Sequence, residues 1–313
     1  MDAVSALAER LGLDAPPFAH GCVVRRDEPL ARHTSMRVGG PADLFCEVES
    51  EDALAGLLSW VSERGVPVFL LGGGTNLVVA DAGIRGLTVK LGRSFARTEW
   101  GDERDGVVRV VAGAAANFKR LVLEVIERGY GGLEFGEGIP GTVGGGVLMN
   151  AGAFGGEIAN VVEALRGVSG AGERRRLVRD ELPFAYRKLD LPPGFVVTAL
   201  EMRLTRGEPA AIAARVADAK RKRGRRQPLG LPNAGSVFKN PPGDFAGRLI
   251  ELCGLKGRAI GGAQVSPQHA NFIVNTGNAR AADVRALMDE IRDTVWQRCG
   301  VRLEPEVRLV GEW

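Results

Sequence analysis

Residues 131–156 contain eleven glycines in 26 positions. No regular helix or strand interior favours that density, because glycine loses more backbone freedom on ordering than any other residue. The stretch is therefore expected to be irregular, with short turns and a backbone that something bulky can approach closely. The whole chain carries 44 glycines in 313 residues, about twice the usual ~7%. There is no Gly-X-Y period, so a collagen-like fold is excluded.

A second cluster, Gly72-Gly73-Gly74-Thr75-Asn76, follows directly on the apolar run 66–71. Successive glycines let backbone N–H groups close around an anion. No Lys-Ser/Thr follows, so this is not a Walker A loop. A plain turn uses the same glycine chemistry, and both readings stand at this point. The 136–141 segment (GEGIPG) spells out GxGxxG. Its context is wrong for a dinucleotide fingerprint: no clear strand precedes it, Pro140 sits inside it, and no helix pattern follows. Residues 139–156 carry no charge but hold seven glycines and a proline. That is too polar and glycine-rich for a membrane helix of ~20 apolar residues.

Periodicity outlines the rest. Leu54, Leu57, Leu58 and Val61 recur at i, i+3, i+4 and i+7 behind Ser50-Glu51-Asp52. This predicts a capped amphipathic helix over 51–64. Helices are also expected over 118–126, 209–221 and 246–253, and around Val284, Leu287, Met288, Ile291 and Val295. Strands are expected at 66–71, 77–80, 107–111, 161–168, 174–178, 195–204, 271–275 and 307–310. The order lacks a long βαβ rhythm, which favours an α+β fold. Boundaries are expected near 83–86 and 205–210.

The net charge is +3. Residues 220–226 (KRKRGRR) hold six basic groups, so the remainder is net negative and the basicity is local. The run reads first as a solvated helix face. Attraction of a phosphate-bearing substrate is the second reading, and nucleic acid a distant third, since no aromatic residue interleaves with the run. The four cysteines form no CxxC pair and there are three histidines, so neither a zinc site nor a disulfide framework is expected. Scattered cysteines fit a reducing cytoplasm. Residues 1–14 lack the apolar core of a signal peptide.

Three polar groupings could carry chemistry: Tyr186-Arg187, Ser236 in NAGSVFKN, and Glu306 with Arg308. Each alone has a bland reading as a turn or surface residue. GSV is not a nucleophile elbow and histidine is scarce, so a Ser-His-Asp hydrolase is disfavoured. His269 alone reads as a structural histidine.

Together these residues resemble the UDP-N-acetylenolpyruvoylglucosamine reductase (MurB) family of bacterial wall synthesis. The match runs from HTSMRVGG (33–40) through LGGGTNLVV (71–79), GIPGTVGGG (138–146), MNAGAFGGE (149–157), YRK (186–188), NAGSVFKNP (233–241) and HANFIVN (269–275) to Glu306-Val307-Arg308. It covers nearly the whole chain. The short stretch between Arg187 and Phe195 resembles the family's second type, which lacks an inserted loop whose Tyr covers the substrate. Ala185 and Lys188-Leu189 depart from the commoner residues around the Tyr-Arg pair.

The resemblance implies an α+β protein with a two-part FAD-binding region and a C-terminal α+β substrate domain. The expected domains are 1–84, joined by the final strand 301–313, then 85–208, then 209–300. FAD would be held by Arg37, by Gly72, Gly73, Gly74, Thr75 and Asn76, by Gly138, Ile139, Pro140, Gly141 and Thr142, and by Asn150, Gly152 and Ala153. NADPH would reduce the flavin. UDP-N-acetylglucosamine enolpyruvate would then accept hydride at its vinyl carbon, giving UDP-N-acetylmuramate. The implied catalytic residues are Ser236 as proton donor, with Arg187 and Glu306 stabilising an enediolate-like intermediate. Tyr186, Arg225, Lys239, Asn240, His269 and Arg308 would contact substrate. No metal is implied, nor a nucleic-acid or membrane partner, and a cytoplasmic monomer is expected. The rival reading is another FAD-dependent oxidoreductase, such as an oxidase, on the same FAD fold. A non-enzymatic nucleotide- or nucleic-acid-binding module is the third, and it would leave the glycine segments without a use.

Overall fold

A computed structural model describes residues 21–228 and 230–313, apart from the side chains of Arg225 and Arg226. The leader reading of residues 1–14 lies outside the described residues. Helices and strands are mixed as an α+β fold requires. The described residues divide into two compact units: residues 21–25, 44–73 and 86–222, and residues 26–43, 74–85 and those described after 222.

The first unit is built on a six-stranded antiparallel sheet. Its central strand, Val196–Arg206, pairs with Val162–Val168 on one side and Val107–Gly113 on the other. Leu200, Met202 and Leu204 face Ala112, Val110 and Val108 in register, all buried. That period-two pattern is what a strand with one wet face produces. The dry face is covered by the helices Phe118–Glu127 and Val143–Leu148. The first is capped by Asn117, whose side chain accepts from the Arg120 amide at 2.9 Å, and buries Phe118, Leu121, Val122 and Val125. The second corrects the expectation that no helix follows the 136–141 segment. Thr142 caps it, accepting from the Gly145 amide at 3.3 Å. Its three glycines hide it from any pattern search. Two of them are tightly packed: a Cβ at Gly144 or Gly146 would lie 3.0 Å from Ala114 or Ile158.

The wet face carries cross-strand ion pairs. Glu201 accepts from Arg176 and Arg166, each at 2.7 Å, and Glu163 accepts from Arg109 at 3.0 Å. The helix Glu51–Glu63 adds a second small core in this unit. Ser50 caps it, and Leu54, Leu57, Leu58 and Val61 are buried as their spacing predicts.

The second unit packs the helices Ala246–Leu252 and Ala281–Cys299 against a three-stranded antiparallel sheet (Ala259–Ile260, Ala263–Val265, Ile273–Asn275). The longer helix starts on Asp81, whose carboxylate accepts from the amides of Ala281 and Ala282 at 2.8 and 3.0 Å. A negative group at a helix N-terminus satisfies orphan donors and opposes the macrodipole. Leu77–Val79 pairs in parallel with the last strand, Arg308–Val310.

The helix that begins at Pro209 runs to Arg226, so the basic run is helical. Asp218 pairs with Arg221 at 2.5 Å and Lys222 at 2.6 Å. Among the described residues no helix is long and apolar enough to cross a membrane, and no group of three metal-ligating side chains occurs.

The Arg176 and Arg166 guanidiniums hold the Glu201 carboxyl below the ordinary carboxylate range. A depressed carboxylate stabilises the fold above its unfolded value of ~4.3, and the gain disappears as pH falls through its folded value. Glu201→Gln is therefore expected to lower Tm at pH 7, with a cost of ~1 kcal/mol, because the two guanidiniums are about half exposed. The gap to the native protein closes as the pH drops below ~4.3; a gap that persists unchanged in thermal melts at low pH contradicts this assignment.

Candidate functional site

The two glycine segments meet backbone to backbone in the first unit. A Cβ on Gly73 would fall 2.7 Å from the Gly141 Cα and 3.2 Å from the Thr142 nitrogen. One on Gly72 would fall 3.0 Å from the Thr142 hydroxyl. Only glycine permits this approach, so the density read from the sequence has a packing cause. The Gly141 carbonyl accepts from the Phe118 amide at 3.0 Å, fixing the loop to the start of a helix. Gly138 and Gly141 take φ of 75° and 111°, which L side chains rarely adopt. Ile139 donates its amide to Gly136 at 2.9 Å, so this segment is a chain of tight turns around Pro140.

Beside Gly138, Glu137 is buried, and its Oε2 has no hydrogen-bond partner among the described residues. A buried acceptor left alone is costly. A bound group rich in hydroxyls, as the ribityl and ribose parts of FAD are, would satisfy it. The backbone cradle and this acceptor fit a flavin dinucleotide.

Farther along the same unit, Tyr186 and Arg187 form the turn of the hairpin Phe184–Ala185 / Lys188–Leu189. Arg187 has φ of 57° and donates from Nη1 to the Gly152 carbonyl at 2.7 Å, and its guanidinium lies 5.5 Å from the Tyr186 ring. Asn150 is fully buried with φ of 39°. Its amide donates to the Ala185 carbonyl at 3.1 Å and its carbonyl accepts from the Ala159 amide at 3.1 Å. Asn150 thus pins the hairpin to the 149–157 segment. Gly152 and Ala153 pair with Glu157 and Gly156 in a second small hairpin.

The second unit gathers the other predicted residues. Ser35 donates its amide to the Gly74 carbonyl at 3.0 Å and its hydroxyl to the Asn233 carbonyl at 2.6 Å. Gly74 has φ of 62°, and a Cβ there would fall 2.0 Å from the His33 carbonyl oxygen. Arg37 is exposed and also left-handed, with φ of 57°. Asn76 reaches from the glycine loop to the last strand. Its side-chain amide donates to the Glu306 carbonyl at 3.0 Å, and its own carbonyl accepts from the Arg308 amide at 3.1 Å. The Glu306 amide in turn donates to Val237 at 2.8 Å. The segments bearing Asn76, Ser236 and Glu306 are therefore joined through their backbones. Sequence distances of 70 residues and 160 residues separate them.

Asn271 is a residue that motif reading passed over, although it lies inside HANFIVN. Buried beside Phe238, it works as a one-residue strand. Its carbonyl accepts from the Phe238 amide at 2.9 Å and its amide donates to the Phe238 carbonyl at 2.8 Å. Its backbone carbonyl also accepts from Val237 at 2.9 Å. Polar residues inside an apolar strand were the available signal.

Other expected substrate residues have structural partners. Asn240 accepts from the Ala246 amide at 3.1 Å, starting the Ala246–Leu252 helix. Lys239 pairs with Glu304. His269 accepts from the Asn271 amide at Nδ1, 3.2 Å away, and its ring lies 4.9 Å from that of Phe272. Arg308 is exposed, and the Arg225 side chain lies outside the described residues. A buried amide such as Asn271, when truncated, leaves two backbone groups unpaired. Asn271→Ala is expected to cost ~1–3 kcal/mol, read as a lower denaturation midpoint with an unchanged m-value; a midpoint equal to that of the native chain contradicts the clamp.

Residues 227–310 match the C-terminal domain of UDP-N-acetylenolpyruvoylglucosamine reductase, and residues 42–177 match an FAD binding domain. A curated UDP-N-acetylenolpyruvoylglucosamine reductase 2 from Symbiobacterium thermophilum is 50% identical over 290 residues, 92% of each chain. A UDP-N-acetylenolpyruvoylglucosamine reductase from Geobacter metallireducens is 47% identical, over 92% of this chain and 94% of that one. The crystal structure of the Thermus caldophilus enzyme superimposes with a TM-score of 0.78 at 36% identity, covering 92% of this chain and 98% of that one. On sequence identity, length coverage and fold alike, the chain belongs to the UDP-N-acetylenolpyruvoylglucosamine reductase (MurB) family.

Proposed function

We propose that the chain catalyses the FAD-dependent, NADPH-driven reduction of the enolpyruvyl ether of UDP-N-acetylglucosamine to UDP-N-acetylmuramate, with Arg187, Ser236 and Glu306 as its catalytic residues. The oxidase alternative is not favoured, because the C-terminal domain matched is that of the reductase. The observation that carries the residue assignment is the backbone junction of Asn76, Val237 and Glu306. It ties the glycine loop to the two segments that bear the proposed proton donor and carboxylate.

When bound, FAD supplies hydride chemistry, accepting from NADPH and donating to the vinyl carbon. The protein's task is then to hold charge and deliver a proton. Hydride addition to the vinyl carbon drives negative charge into the substrate carboxylate. Arg187, preset by its bond to Gly152 and by the Asn150-anchored hairpin, supplies fixed positive charge for that oxyanion. Glu306 is assigned to the same intermediate, as a donor or by its placement. Ser236 passes its proton to the carbon bearing the ether oxygen. A serine hydroxyl is a weak acid, so its neighbours have to lower the cost of that transfer.

Arg37, the 72–76 loop, the 138–142 turns and the Asn150–Gly152–Ala153 segment are assigned to FAD. The Thr75 and Asn76 side chains add polar contacts to a backbone cradle. Asn76 and Asn150 act as positioning residues, since their side chains bond to backbone groups. Tyr186, Lys239, Asn240, His269 and Arg308, with Arg225, are assigned to the substrate. Lys239 would exchange Glu304 for a phosphate oxygen. The three-domain division 1–84 with 301–313, 85–208 and 209–300 is proposed as the functional organisation, in a cytoplasmic monomer.

Two variants separate the roles. Ser236→Ala is expected to keep flavin reduction by NADPH at the native rate and to slow reoxidation by the UDP-sugar ~10²–10⁴-fold. A normal second half-reaction in stopped-flow traces sinks the proton-donor role. Arg187→Ala is expected to lower kcat/KM for the UDP-sugar by ~10²-fold or more while NADPH oxidation in the first half-reaction persists; an unchanged kcat/KM rejects the oxyanion role.

A further inference from the structure

Four cysteines are spread over 278 positions of the chain, and the sequence pairs none of them. The fold of the second unit pairs two. Cys253 sits directly after the helix Ala246–Leu252, and Cys299 is the last residue of the helix Ala281–Cys299. Their sulfurs are 3.8 Å apart. Cys253 is buried and Cys299 is partly exposed. We infer that Cys253 and Cys299 form an oxidation site, at which a hydroperoxide converts the two thiols to a disulfide that staples the ends of these two helices.

The geometry carries the step. A disulfide needs ~2.05 Å between sulfurs, so sulfurs 3.8 Å apart have to close by about 2 Å. Each cysteine is followed by a glycine in the left-handed region, Gly254 at 71° and Gly300 at 68°, whose added Cβ would meet nothing within 4 Å. The backbone can therefore adjust at both ends of the bridge. Arg298 donates to the Cys253 carbonyl at 3.2 Å, which holds the two helix ends together. Burial pushes the Cys253 thiol up, which leaves the more exposed Cys299 as the first site of attack.

The chemistry balances. The Cys299 sulfur attacks the peroxide, the O–O bond breaks, and the products are a sulfenic acid and one molecule of water or alcohol. The Cys253 sulfur then displaces the sulfenic hydroxyl, forming the S–S bond and releasing water. The peroxide is reduced and the two thiols are oxidised. The bridge closes a loop of 46 residues, which restricts the unfolded chain and raises stability.

The test uses the full chain, treated with one equivalent of hydrogen peroxide. The expected result is a mass loss of two hydrogens, free thiols in denaturant falling from four to two, and a peptide linking Cys253 to Cys299. Tm rises, and dithiothreitol reverses every change. Cys299→Ser and Cys253→Ser abolish the mass loss and the rise in Tm, whereas Cys22→Ser keeps both. Mass gains from sulfinic or sulfonic acid without a bridge, a bridge between other cysteines, or four intact thiols would each overturn the inference.

Discussion

The carbonyl of Val237 accepts two amides, from Glu306 at 2.8 Å and Val307 at 3.3 Å, while the Val237 amide is itself held by Asn271. Much of the second unit depends on this knot. It fixes the residue next to Ser236, and it sets the entry of the last strand. That strand then pairs with Leu77–Val79 and receives the Asn76 side chain. Each bond is modest alone, on the order of 1 kcal/mol net. Together they are buried among apolar side chains such as Phe238, Leu303 and Val307, where leaving one unmade is costly. The segments bearing two proposed catalytic residues are thereby held by backbone hydrogen bonds.

The first unit solves a different problem with the same economy of side chains. Its glycine loops touch through main chain, Gly73 against Gly141, where a Cβ would not fit. The sheet beneath supplies the rigid floor, and Asn117 and Thr142 cap the two helices that cover it. The left-handed residues Asn150 and Arg187 lie in this region too. A non-glycine residue in that conformation carries backbone strain. Asn150 offsets it with two buried side-chain bonds and Arg187 with its bond to Gly152.

Where one face of an element is buried, the sequence reading matched the structure closely. The Glu51–Glu63 helix follows from the spacing of Leu54, Leu57, Leu58 and Val61, and its start from the Ser50 cap. The Val143–Leu148 helix does not, because Gly144, Gly145 and Gly146 erase the apolar stripe and only tertiary packing explains them. The Asn271 clamp was invisible for a related reason: a buried amide is defined by its distant partner, Phe238, and not by its neighbours in sequence. The proximity of Cys253 and Cys299 likewise arises only when two helix ends meet. The motif residues were legible one by one. Their joining through Val237 was not, since Asn76 and Ser236 are 160 positions apart. The basic run was read as a solvated helix face, and Asp218 supplies part of its neutralisation.

The central claim is that this fold binds FAD and uses it to pass hydride from NADPH to an enolpyruvyl ether. The most direct measurement is the anaerobic absorbance spectrum of the purified protein during two successive additions. The account predicts a flavin band that bleaches with NADPH and returns when UDP-N-acetylglucosamine enolpyruvate is added, with UDP-N-acetylmuramate formed in step. A protein that stays colourless after incubation with FAD, or a reduced flavin that the UDP-sugar fails to reoxidise, would contradict it.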